Sequence, residues 1–98
     1  MNANGPGPSP FSPSAGHHIA TVSHDGRFWD VYVEFEDDPR RPDTHRALLC
    51  YFPADPGEGE EAVRTGVIII EDSFEEAMLK ARSLMDLQLQ ALLRSALP

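Results

Sequence analysis

The sequence predicts an α+β fold: an antiparallel sheet of about four strands, in the order β-β-β-β-α, packed against one long C-terminal helix. Three observations predict it. Two β-rich runs flank Asp25-Gly26, a dipeptide that supplies the positive φ angles of a two-residue type I′ hairpin. Two further apolar runs, HRALLCYF and VRTGVIIIE, are each bounded by charged, Pro- or Gly-containing loops. From Ser73 onward the apolar spacing changes to the helical period and holds almost to the C-terminus.

Residues 1–16, MNANGPGPSPFSPSAG, carry no charged side chain and are dominated by Gly, Pro, Ser and Asn, so they read as a disordered tail. Residues 17–98 read as a single α+β domain, because a chain of 98 residues has room for one hydrophobic core. If Asp25 and Gly26 are the loop, His24 pairs with Arg27, Val22 faces Trp29, Ala20 faces Val31 and His18 faces Val33. One face of the hairpin then carries Ala20, Val22, Trp29, Val31, Val33 and Phe35. The other carries Ser23, Phe28, Thr21, Asp30, Ile19, Tyr32, His17 and Glu34, a mixed and wetter surface. Asp37 to Thr44 breaks strand character with two prolines and a run of charges. Pro53 ends the third strand, and Val67 to Ile70 is an unbroken apolar run that suits a central strand covered on both sides, or one whose two faces are unequally buried, with Gly66 marking a bulge or a close backbone approach.

The helix opens with a capping box, Ser73 and Glu76, beside the acidic Asp72 and Glu75. At about 100° per residue, Phe74, Met78, Ala81, Met85, Leu89, Leu92 and Ala96 form one stripe to cover the sheet, flanked by Ala77, Leu84 and Leu93. Leu79, Leu87 and Leu97 fall off that stripe. They are read, with Phe28 and Tyr32 on the outer sheet face, as a surface for a homo-oligomer or a protein partner.

Composition excludes several function classes. Sixteen carboxylates against eight basic side chains give a net charge of −8, which repels phosphate backbones, so no nucleic-acid partner is expected. Cys50 is the only cysteine and lies in an apolar run, which excludes an internal disulfide, a cysteine zinc cluster and a CxxC pair. His17, His18, His24 and His45 do not have ligand spacing, since His17 and His18 point to opposite faces of a strand. The acidic loops lack the D-x-D-x-D-G pattern of a calcium loop, and neither a G-x-S-x-G elbow nor a phosphate-binding Gly-rich loop is present. No metal, cofactor or catalytic residue is assigned, and the chain is not read as an enzyme. The first residues show no basic start leading into an apolar stretch, and no window is long enough to cross a bilayer, so the cytoplasm is the expected location, with no membrane partner.

Asp72-Ser73-Phe74-Glu75-Glu76-Ala77, a D-S-x-E-E-A helix start directly after a strand, resembles the strand-to-helix junction of HicB-type antitoxins. The resemblance covers less than a third of the chain and implies a small sheet-and-helix domain with a toxin-neutralising role. The chain departs from the family in lacking a Pro-Gly-Cys-like turn before the strand and an attached DNA-binding segment, and no functional residue is carried over. The first functional reading is therefore a small non-enzymatic interaction or accessory module that self-associates or binds a protein. The alternatives are a small-ligand or toxin-binding, antitoxin-like domain with a crevice near Trp29, and a small enzyme using His and carboxylate chemistry.

Overall fold

The computed structural model describes residues 16–98; the proposed tail lies outside the described residues except for Gly16. Five strands and two helices follow in the order β1 (His17–His24), β2 (Arg27–Glu36), β3 (His45–Pro53), β4 (Val63–Arg64), β5 (Ile69–Glu71), α1 (Phe74–Arg82) and α2 (Asp86–Ala96). The fold is α+β, with an antiparallel meander β1-β2-β3-β4 in which β5 also pairs with β3.

The β1–β2 hairpin turns through Asp25 (φ 56°) and Gly26 (φ 80°), the positive-φ pair that a type I′ turn requires. From the turn outward the register is the one the turn dictates: His24↔Arg27, Val22↔Trp29, Ala20↔Val31. It then shifts at a bulge between His18 and Ala20, so that His18 faces Tyr32 and His17 faces Val33. The predicted pairings of His18 with Val33, Ile19 with Tyr32 and His17 with Glu34 are corrected accordingly. The cause is burial: the extra residue brings Ile19 against the core instead of onto the wet face.

The fourth strand is interrupted. Between the pairs Cys50↔Arg64 and Ala47↔Ile69, two residues of β3 (Leu48 and Leu49) face four of the opposite stretch (Thr65 to Ile68). Gly66 sits in this bulge. The Thr65 hydroxyl oxygen accepts the Leu49 N–H at 3.0 Å, in place of a ladder carbonyl. Of the two expectations for Val67 to Ile70 the second holds: it is an edge segment beside β3 with unequally buried faces, Ile69 buried and Ile68 and Ile70 exposed, not a central strand covered on both sides.

A second correction concerns the helix, which is two helices rather than one. Ser73 caps α1, its Oγ accepting the Glu76 N–H at 3.1 Å. At the far end the Ser83 hydroxyl donates to the Lys80 carbonyl at 2.6 Å, and the Leu84 N–H tightens to the Ala81 carbonyl. Met85 is extended, and its N–H, released from the helical ladder, donates to Gln88 Oε1 at 2.8 Å. The break has a packing reason. A single straight helix is about 10 Å wide, whereas four strands at about 4.8 Å spacing are wider. Split in two, α1 covers β5 and β3 while α2 reaches β1 and β4. Met85, expected on the buried stripe, is instead 71% exposed.

Between the layers lies one core of Val22, Trp29, Val31, Val33, Ala47, Leu49, Tyr51, Ile69, Ala77, Met78, Ala81, Leu89 and Leu93. Tyr51 ties the layers together: its hydroxyl donates to the Leu89 carbonyl at 2.7 Å, and burial raises its pKa. At one end of the sheet the rings of His17 and Phe35 pack on Phe74, with centroids 5.3 and 5.2 Å away, seating the start of α1.

Candidate interaction surface

Four surfaces surround this core: the two sheet edges, the outer sheet face and the solvent face of the helices. Both edges are broken by bulges, at Ile19 in β1 and at Thr65–Ile68 between β4 and β5. Bulged edges present few consecutive unpaired backbone groups and so oppose strand addition.

The middle of the outer sheet face is covered by its own polar side chains, while Phe28 at one end and Ile70 at the β5 edge stay exposed. Arg64 makes a bidentate pair with Glu34, at 2.9 and 3.2 Å. Both flank Cys50, which is fully buried although no helix covers it. Burial, with the Glu34 carboxylate adding to it, pushes the Cys50 thiol up to about 12, so it is protonated and unreactive at neutral pH. Along the hairpin the Thr21 hydroxyl donates to Asp30 at 2.8 Å, and His18 Nε2 lies 3.4 Å from the same carboxylate, with the His18 ring edge-on to Tyr32. Tyr32 is thus half-buried within this network, its pKa raised by burial and by Asp30. Phe28, beside the turn, stands clear of it at 63% exposure.

At the hairpin end Arg27 reaches across to the loop after β3. Its guanidinium donates twice to Glu60, at 2.7 and 3.0 Å, and lies over the Trp29 ring at 5.3 Å. These bonds, with the Gly57 N–H, hold Glu60 down at about 2. The acidic loop after β3 is therefore clasped to the sheet in part. Sequence reasoning missed this pair, and nothing local signals it, since the partners are 33 residues apart.

The helices present a different surface. Leu79 and Leu87 are 71% and 79% exposed, and Met85 between them is as open as Leu79. Met85, Asp86, Leu87 and Gln88 line an open hollow of 570 Å³. Leu79 lies on the side of α1 opposite the buried Ala77, Met78 and Ala81. Leu97, the third leucine off the predicted stripe, leaves α2 with an extended backbone and packs partly against the core. Met85 is the exposed apolar residue that helical periodicity hides, because the periodicity does not register the break before it.

Among the described residues no three His, Cys, Asp or Glu side chains are grouped to hold a metal ion, and no helix is long and apolar enough to cross a membrane. Trp29 Nε1 and His45 Nδ1 are buried without a hydrogen-bond partner among the described residues. Comparison with protein-family models, with curated proteins and with solved structures gives no match.

Proposed function

We propose that this chain is a cytoplasmic, non-enzymatic interaction module that binds protein through the solvent face of its two helices. The observation that supports it is the exposure of Leu79, Met85 and Leu87, each above 70%, in a layer where Ala77, Met78, Ala81, Leu89 and Leu93 are buried in the core. Exposed apolar side chains grouped on one layer, beside polar residues, suit a partner's apolar surface. The other surfaces suit a partner less, the edges being bulged and the middle of the outer sheet face occupied by the Glu34–Arg64 pair, which separates the exposed Phe28 from Ile70. The Asp72–Ala77 junction forms as a strand followed by a serine-capped helix, and its similarity to HicB-type antitoxins supports the same class of role, that of a protein acting by binding another.

If these leucines serve a partner, they do nothing for the fold. Replacing both, Leu79→Gln with Leu87→Gln, keeps good helix formers in place and leaves the thermal midpoint at low micromolar concentration within about 3 °C of the parent. A fall of about 10 °C or more would assign the leucines to the fold and defeat the reading.

A further inference from the structure

We infer that the partner of this face is a second copy of the chain, with α1 packed antiparallel on its symmetry mate about a two-fold axis through Leu79. The inference rests on the helix layer being a docking face, and adds which protein docks there.

Charge selects the partner. The two helices carry three carboxylates (Glu75, Glu76 and Asp86) and three basic side chains (Lys80, Arg82 and Arg94). The whole net charge of −8 therefore lies on the sheet and its loops. Two copies that meet anywhere else bring together surfaces of like charge; across the helix layer they meet where that charge is absent.

The arrangement within α1 selects the geometry. Glu75 lies one turn before Leu79 and Arg82 one turn after it, both on the same side of Leu79 and all three exposed. Among the described residues neither Glu75 nor Arg82 takes part in an ion pair, whereas Lys80 is held by Glu71 at 3.0 Å. An isologous contact needs a patch complementary to itself. Turned antiparallel about Leu79, the α1 stripe is such a patch: Glu75 meets Arg82 of the second copy, Arg82 meets its Glu75, and Leu79 meets Leu79. The helix dipoles oppose as well, each acidic first turn lying over a basic last turn. A parallel arrangement would bring the two acidic first turns together, Glu75 against Glu76, and is disfavoured. Nine residues of α1 span about 14 Å, so this contact, extended by Met85 and Leu87, is small and the dimer weak.

Charge reversal tests it in sedimentation velocity of the full chain up to several hundred micromolar, with circular dichroism confirming that each variant is folded. The parent chain dimerises. E75R alone and R82E alone each turn two attractive pairs into two repulsive ones and weaken the dimer at least about tenfold. An equimolar mixture of the two variants restores it, because every Arg then meets a Glu, and so does the double variant E75R/R82E. A parent chain monomeric throughout this range would overturn the second copy as partner while leaving the docking face open to a different protein. A dimer indifferent to both reversals, or not restored by mixing, would overturn the α1 pairing.

Discussion

The two faces of the sheet keep water out by different means. On the inner face Val31, Val33, Leu49 and Tyr51 are buried because two helices lie on them, and the interaction is apolar packing with a single tether from Tyr51 to Leu89. On the outer face Cys50 is equally buried with no covering layer, enclosed by the Glu34–Arg64 pair and the neighbouring strands. The difference teaches where a partner has something to gain. Docking on the outer face means desolvating formed ion pairs, whereas docking on the helix layer covers leucines that already face water.

The largest expected effect lies on the inner face. Leu89→Ala should cost about 2–5 kcal/mol in chemical denaturation, through lost burial and the cavity it leaves. Phe28→Ala, at the exposed end of the outer face, should change stability by no more than about 0.5 kcal/mol. Comparable losses from the two would break the distinction between the faces.

A smaller effect sharpens it. Glu34→Ala should cost at most about 1 kcal/mol, because its pair with Arg64 is only partly shielded from water. The same change removes the carboxylate that helps raise the Cys50 thiol and opens the cover above it, so both consequences increase thiol reactivity. Alkylation of Cys50 at pH 8 should then accelerate at least about tenfold while the fold is retained. An unchanged rate would mean that the strands alone bury this thiol.

Much of this layout is legible in the sequence where the cause is local. Asp25-Gly26 sets the hairpin register for as long as the turn controls it, and Ser73 with Glu76 marks the start of α1. Leu79 and Leu87 stand off the helical stripe in the sequence and are exposed in the fold. What is not legible has a tertiary cause. The helix break at Ser83–Met85 is concealed because Leu84, Met85 and Leu89 continue the helical spacing, and the width of the sheet, not the spacing, requires the break. Val67 to Ile70 reads as a central strand on apolarity alone; its place at the edge follows from pairing with β3. The bulge at Ile19 answers a choice between two faces that no short window contains.

The most direct test of the central claim compares the helix layer with the outer sheet face in one cross-linking experiment. With Cys50→Ala removing the native thiol, Leu79→Cys and Phe28→Cys are made separately and oxidised mildly at high protein concentration. Residues facing each other at a two-fold axis between packed helices come within the Cα separation of roughly 4.4–6.8 Å that a disulfide requires. The account predicts a rapidly formed disulfide-linked dimer from the Leu79→Cys chain and little from the Phe28→Cys chain. Linking that is equally fast at both positions, or faster through position 28, would contradict it.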